Sequence, residues 1–93
     1  MRHFRPDDML SRAQGMLSAD LDQETVLMAI DAGAYFGLDG TAQRIWQELE
    51  TPVEFCALVE TLVAEYQIAP EECAADLEKF LREMEQEGLI HVE

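Results

Sequence analysis

Alternation of apolar and polar residues marks the first half of the chain. Three short runs, residues 16–21, 24–31 and 34–38, are rich in apolar and β-prone side chains and are separated by short polar loops. Runs of this length between Asp, Gln and Gly are typical of β-strands joined by tight turns. The loop Asp31-Ala32-Gly33 suits a three-residue hairpin turn in which Gly33 adopts a positive φ. The pattern therefore predicts a three-stranded antiparallel meander.

The second of these runs is apolar on both of its faces. Val26, Met28 and Ile30 fall on one side, whereas Leu27 and Ala29 fall on the other, because strand side chains alternate. A strand that is apolar on both sides is typical of a sheet that other elements cover. We expect helices to pack against one face of the meander.

From Asp39 onward the period changes from two to 3.6. Ala42, Ile45, Trp46 and Leu49 recur at the spacing of one helical face. Asp39 is well suited to the N-cap of this first helix, because a short carboxylate can accept a hydrogen bond from an unpaired amide of the first turn.

The segment Thr51-Pro52-Val53-Glu54 carries the sequence of a capping box. Thr51 would accept a hydrogen bond from the third helical amide, Glu54 would reach back, and Pro52 would occupy the first helical position. This segment predicts the start of a second helix. Its buried stripe would consist of Phe55, Leu58, Val59, Leu62, Val63 and Tyr66.

A third helix is predicted to begin near Pro70. Glu71 and Glu72 place negative charge in its first turn, where the helix dipole favours it. Gly88 is a suitable C′ residue, and Leu89 can fold back on the last turn in a Schellman-type ending. The tail from residue 90 to residue 92 can add a short extended segment. The apolar positions of this helix are Cys73, Leu77, Phe80, Leu81 and Met84.

The order of three strands followed by three helices predicts an α+β fold with a winged-helix-like arrangement. The 93-residue chain has room for one domain, which we place at residues 15–93. Residues 1–14 show no clean period and hold half of the basic side chains. We predict that they form a flexible, loosely attached N-terminal arm.

The net charge of −14 narrows the choice of partners. Nucleic acids and anionic membranes bind proteins mainly through Lys and Arg, and beyond Arg12 only Arg44, Lys79 and Arg82 are basic. The predicted third helix, which would be the DNA-reading helix of a winged-helix protein, is strongly acidic. We therefore expect neither nucleic acid nor membrane as a partner, and we expect basic partners to be attracted.

The residue types that carry catalysis are poorly placed. His3 and His91 lie near the two ends, the acids fall mainly on outward helical faces, and the glycines are too scattered for a phosphate-binding loop. Cys56 and Cys73 match no metal or redox motif, and buried small side chains are the favoured reading. A disulfide between them is geometrically conceivable, but we predict a cytoplasmic protein, in which they stay reduced. We predict no catalytic residue, no metal site and no cofactor.

An interaction surface remains, and the third predicted strand offers one. This strand has a single neighbour in the meander, so its outer edge presents unpaired N–H and C=O groups. Gly37 allows another backbone to approach there, or alternatively marks a bulge or the end of the strand. Tyr35 and Phe36 point to opposite faces, so that one can enter the core while the other lines an external groove.

The chain resembles the PqqD family of peptide-recognition proteins. The resemblance extends from about residue 25 to residue 90 and rests on the order and spacing of four motifs. These are residues 35–46 (YFGLDGTAQRIW), the pair Glu65-Tyr66, residues 76–81 (DLEKFL) and the closing Gly88-Leu89-Ile90.

This resemblance implies a non-catalytic adaptor for ribosomally made, post-translationally modified peptides. Family members bind the leader segment of a precursor peptide as an added β-strand, in the groove between the third strand and the third helix. They present the precursor to a separate modifying enzyme. Carried over by position, the peptide-binding residues are Ala34, Tyr35, Phe36, Gly37, Leu38, Asp76, Lys79, Phe80 and Glu83.

The resemblance also implies the classes of partner. A basic or neutral leader peptide would bind the groove, and the enzyme would be a leader peptidase and cyclase of lasso-peptide maturation or a radical enzyme such as that of PQQ assembly. The YFGLDGTAQRIW pattern favours the lasso type. The alternatives are an acidic winged-helix protein that acts in transcription regulation or as a general protein-interaction module, and a small enzyme with an added cofactor or metal.

Overall fold

The computed structural model describes residues 3–30 and 33–93. In chain order the elements are β1 (Met9–Arg12), β2 (Met16–Leu21), β3 (Glu24–Ala29), β4 (Ala34–Asp39), α1 (Gly40–Glu48), β5 (Val53–Glu54), α2 (Phe55–Tyr66), α3 (Pro70–Gln86) and β6 (Ile90–Val92). The strands form two antiparallel sheets, ordered β2-β3-β4 and β5-β1-β6. The predicted α+β fold, with a three-stranded meander followed by three helices, is confirmed.

The predicted meander is the sheet β2-β3-β4. Its register is regular from the pair Glu24–Asp39 to the pair Ala29–Ala34. Gly37 pairs with Val26 inside this unbroken register, so the alternative of a bulge or strand end at Gly37 is wrong. Gly33 has the predicted positive φ, +64°. Residues 31 and 32 of the predicted turn lie outside the described residues.

The N-terminal segment differs from the predicted flexible arm. β1 is the central strand of the second sheet, and Leu10 within it is completely buried. Phe4 is also buried, and its ring meets Phe55 edge to face at a centroid distance of 5.4 Å. Because β1 is only four residues long and its partners β5 and β6 are distant in sequence, no local period announces it. The described residues 3–14 are therefore part of the packed fold.

Helix α2 begins at Phe55, so the predicted capping box at Thr51 is wrong. Val53 pairs with Leu10 of β1, which keeps this stretch extended and takes it out of the helix. Glu54 is the N-cap by position, but its side chain makes no capping hydrogen bond.

The first amides of α2 are satisfied by the N-terminal segment instead. The N–H of Phe55 donates to the carbonyl of Asp8 at 2.9 Å, and the N–H of Cys56 donates to the carbonyl of Pro6, also at 2.9 Å. Unpaired amides at a helix start need partners, and carbonyls from another part of the chain serve as well as a local side chain. Residues 6–8 thus cap a helix that lies far from them in sequence.

Helix α3 has the predicted beginning and end. Pro70 occupies its first turn. At the other end the N–H of Gly88 donates to Glu85 at 3.0 Å and that of Leu89 to Met84 at 2.9 Å, with φ of +76° at Gly88. This is the hydrogen-bond pattern of a Schellman ending. The buried side chain of Leu89 completes it.

One continuous core joins the inner face of the meander to all three helices. Tyr66, predicted to be buried, is instead 41% exposed at the end of α2. Asp39 is the N-cap of α1 by position, as predicted, but its side chain makes no capping hydrogen bond. Cys56 and Cys73 are both free thiols, half-buried and buried respectively. No helix in the described ranges is long and apolar enough to cross a membrane. The buried apolar residues are Phe4, Leu10, Leu27, Leu38, Ile45, Trp46, Leu49, Phe55, Leu58, Leu62, Cys73, Leu77, Leu81, Met84, Leu89 and Ile90.

Candidate functional site

The outer edge of β4 presents backbone groups that the meander leaves unpaired. The two-residue turn between β2 and β3 makes Leu21 and Glu24 a hydrogen-bonded pair. Hydrogen-bonding direction alternates along an antiparallel strand, so the backbone groups of Thr25, Leu27 and Ala29 face β4. The carbonyl of Ala29 indeed accepts from Gly33, which lies on that side.

The partners of those three residues are Leu38, Phe36 and Ala34, whose backbone groups therefore point towards β3. The backbone N–H and C=O groups of Tyr35 and Gly37 consequently point away from the sheet. They form the unpaired edge at which a further strand can be added.

Side chains of β4 separate the two faces as predicted. Phe36 is half-buried and packs against the core. Its cross-strand partner Leu27 and the nearby Leu38 are buried members of that core. Tyr35 lies on the opposite face and is 69% exposed. At Gly37, an added Cβ would lie 3.7 Å from the Cδ of Glu24, so the Glu24 carboxylate covers the position that lacks a side chain.

A cleft of about 420 Å³ begins directly after β4. It lies between the start of α1, the turn from α2 to α3 and one flank of α3. Its lining is mainly apolar, which suits the burial of an apolar side chain from a bound peptide. The lining residues are Thr41, Ala42, Ile45, Leu62, Tyr66, Ile68, Cys73, Asp76, Leu77 and Phe80.

The predicted site residues of α3 divide into two pairs. Asp76 and Phe80 line the cleft. Lys79 and Glu83 are exposed on the same flank of the helix, outside the lining. The structure thus places Phe80 in the cleft, whose lining begins at Thr41, two residues after the end of β4. Residues 34–38 form the edge strand and do not line the cleft themselves.

Sequence reasoning missed the contribution of the α2–α3 turn. Tyr66 and Ile68 are exposed apolar side chains on either side of Gln67, which has a left-handed φ of 54°. That conformation ends α2 and turns the chain so that both side chains reach the cleft. The signal was weak, because Tyr66 fits a helical stripe equally well.

The mainly apolar cleft is lined by one acidic side chain, Asp76, and by one thiol of low reactivity, Cys73. Burial raises the pKa of the Cys73 thiol, and the nearby Asp76 carboxylate raises it further. A raised pKa keeps the thiol protonated and unreactive at neutral pH. Within residues 3–30 and 33–93, no three His, Cys, Asp or Glu side chains are grouped so that they could hold a metal ion.

A family model described as "Coenzyme PQQ synthesis protein D (PqqD)" matches residues 24–90, well over half of the chain. The chain belongs to the PqqD family. The resemblance noted in the sequence is therefore confirmed.

Among solved structures, this PqqD-family chain is similar to one described as "TbiB1 in Complex with the TbiA(beta) Leader Peptide". The two chains share 33% sequence identity with a TM-score of 0.82, and the match covers 87% of this chain and 94% of the other. TbiB1, described in complex with a leader peptide, thus has a fold similar to that of this chain. No curated protein matches the chain.

Proposed function

We propose that this protein is a non-catalytic adaptor that binds the leader segment of a precursor peptide by β-strand addition. The observation that carries the proposal is the free edge of β4 beside an apolar cleft, in a fold similar to that of TbiB1 with its leader peptide. The leader would pair with β4 and extend the meander to four strands. This mode of recognition uses main-chain hydrogen bonds for register and side-chain pockets for specificity.

Backbone pairing alone is too weak to hold a leader. Tyr35 and Gly37 offer two N–H and two C=O groups, and at about 0.5–1.5 kcal/mol each these supply roughly 2–6 kcal/mol. Micromolar affinity needs about 8 kcal/mol, before the cost of ordering the peptide is counted. Side-chain anchors must therefore supply the difference.

The cleft is the natural place for such an anchor. An aliphatic or aromatic leader side chain buried against Phe80 and Ile68 would contribute about 1.5–3 kcal/mol. Asp76 at the cleft and Glu83 on the same flank favour a leader that carries Lys or Arg, with Lys79 the one basic residue of the predicted set. We therefore propose a basic or neutral leader with at least one apolar anchor.

The separate enzyme that receives the precursor would be of one of two kinds. We favour the leader peptidase and cyclase of a lasso-type pathway, in keeping with the YFGLDGTAQRIW segment. A radical enzyme of the PQQ type is the second choice. In either case the adaptor would supply binding and orientation, and the enzyme would supply the chemistry.

The test compares the affinity of Gly37→Pro and Phe80→Ala for a synthetic leader peptide with that of the unmodified protein. The leader comes from a precursor gene sought beside the gene of this protein, and fluorescence anisotropy measures binding. Proline removes the outward N–H of Gly37 and is tolerated on an edge strand, so binding should weaken by about 1–3 kcal/mol. Phe80→Ala removes part of the cleft wall, and we expect a loss of about 1–2 kcal/mol, or roughly 5–30-fold.

Ser18→Pro is the matched control. The same alternation makes the N–H of Ser18 point outward from β2, at the opposite edge of the meander. This variant imposes the same kind of change at the wrong edge and should bind the leader normally. Circular dichroism verifies that all three variants are folded. Unchanged affinity in both Gly37→Pro and Phe80→Ala, or an equal loss in Ser18→Pro, would refute the groove assignment.

A further inference from the structure

The meander has a second surface besides its edge, on the side that faces away from the helices. We call this side the outer face. It carries Leu17 and Leu21 from β2, Val26 and Met28 from β3, and Tyr35 from β4. The core covers the inner face at β3 and β4, where Leu27 and Thr25 are completely buried, whereas no helix covers the outer face in the described ranges.

Large apolar side chains are concentrated on this outer face. Leu17 and Leu21 are each 57% exposed and Tyr35 is 69% exposed. Ile30, directly after β3, is 55% exposed. Isolated exposed apolar residues need no explanation, but a contiguous group on one sheet face marks an interaction surface.

Acidic side chains border one end of the outer face. Glu24 and Asp39 stand directly opposite each other in the β3–β4 register, and like charges in this position repel. Neither takes part in any salt bridge formed within the described residues. A Lys or Arg side chain of a partner would relieve this repulsion. The Glu24 carboxylate lies across Gly37, on the outer face itself.

These charges select among the possible occupants. A second copy would bring an identical acidic border and another net charge of −14 against the first, and an anionic membrane would be repelled in the same way. A protein surface with apolar side chains at its centre and Lys or Arg at its border is complementary to this face. Electrostatic complementarity of this kind steers association and fixes orientation.

The position of the outer face indicates which protein would bind there. In the proposed function, a leader strand added to β4 places every second side chain on the outer face, next to Tyr35. A protein seated on the outer face would therefore touch the bound peptide. We propose, resting on that function, that the outer face of the meander is the docking site of the modifying enzyme, through an apolar surface bordered by Lys or Arg.

The test replaces Leu17, which lies on β2, two strands away from the leader edge. Leu17→Lys puts a cation on the apolar face and should repel a basic partner surface. Met9→Lys is the matched control, because Met9 is an exposed apolar residue on the other sheet. The probes are the synthetic leader and the purified modifying enzyme encoded in the same gene neighbourhood.

We expect Leu17→Lys to bind the leader like the unmodified protein and to lose about tenfold or more in affinity for the enzyme. Met9→Lys should retain both affinities. Leu21→Lys provides a second variant of the face should Leu17→Lys prove unfolded by circular dichroism. Sedimentation velocity of the unmodified protein measures self-association.

The outcomes separate the two proposals. If the unmodified protein fails to bind the leader, the proposed function falls and the docking proposal falls with it. If the leader binds but the enzyme does not bind, or binds Leu17→Lys as tightly as the unmodified protein, the docking proposal alone is overturned. It is also overturned if the unmodified protein forms a dimer that Leu17→Lys abolishes, since the face would then join two copies.

Discussion

Replacement of Glu78 tests how firmly the N-terminal segment is attached. The carboxylate of Glu78 accepts a hydrogen bond from the backbone N–H of Phe4 at 2.6 Å and meets His3 Nδ1 at 2.9 Å. Arg82 Nε lies 3.6 Å away. The side chain of Glu78 is 16% exposed, so solvent competes only partly for these contacts.

The expected magnitude follows from the Phe4 contact. A hydrogen bond to a charged group contributes about 1.5–3 kcal/mol, and exposed contacts such as that with His3 add little. We expect Glu78→Ala to lower the free energy of unfolding by about 2 kcal/mol, out of roughly 5–14 kcal/mol for a chain of this size. The midpoint temperature should fall by about 8–16 °C. Glu78→Gln keeps an acceptor for the Phe4 amide and should cost less.

The pH dependence of the stability difference shows whether the negative charge of Glu78 is responsible for it. Burial alone would raise the pKa of Glu78, but the Phe4 hydrogen bond and the contacts with His3 and Arg82 outweigh it and lower the pKa. A carboxylate with a lowered pKa contributes stability above its unfolded pKa of about 4.3, and loses it as the pH falls through the folded value. The difference in the free energy of unfolding between the unmodified protein and Glu78→Gln should therefore be constant near neutral pH and disappear in acid.

Urea unfolding followed by circular dichroism measures these differences. Glu85→Ala is the control, since Glu85 is an exposed acid on the same helix, and it should change stability by less than about 0.5 kcal/mol. Equal stabilities for Glu78→Ala and Glu85→Ala would refute the attachment through Glu78. A gap between the unmodified protein and Glu78→Gln that persists at pH 2 would refute the role of the charge.

Two further predictions concern α2 and the thiols. Thr51→Ala should change the free energy of unfolding by less than about 0.5 kcal/mol in urea titrations, whereas the loss of a true N-cap costs about 1 kcal/mol, so a larger effect would restore the capping box. Iodoacetamide at pH 8 should alkylate half-buried Cys56 faster than Cys73, whose thiol is buried and has a raised pKa, as read by mass spectrometry. Cys56→Ser should leave only the slow reaction, and a fast reaction in that variant would contradict the burial of Cys73.

Patterns that depend on near neighbours could be predicted from the sequence. The alternation in residues 16–38 located the meander and its free edge, and the Gly88-Leu89 ending of α3 was recognised because each step of that motif lies within one helical turn. Phe80 and Asp76 lie one helical turn apart, as the helical period predicts, and both line the cleft, while their part in peptide binding stays a prediction.

Features that depend on distant partners could not be predicted. Met9–Arg12 becomes a strand because β5 and β6 lie on either side of it, and four residues carry no period of their own. The capping box at Thr51 is a valid local signal, but pairing of Val53 with Leu10 holds that stretch extended. A local preference of about 1 kcal/mol is readily outweighed by such tertiary contacts.

The position of β1 between β5 and β6 has a consequence for the order of assembly. Ser11 pairs with His91, which lies far along the chain, so this sheet cannot close until residues 90–92 are available. Contacts between distant residues form slowly, whereas the hairpin that joins Leu21 to Glu24 needs only its own turn. During synthesis, we expect the meander to form before the second sheet closes. The β4 edge proposed to bind a peptide would then form early, and the fold around it would be completed only when the second sheet closes.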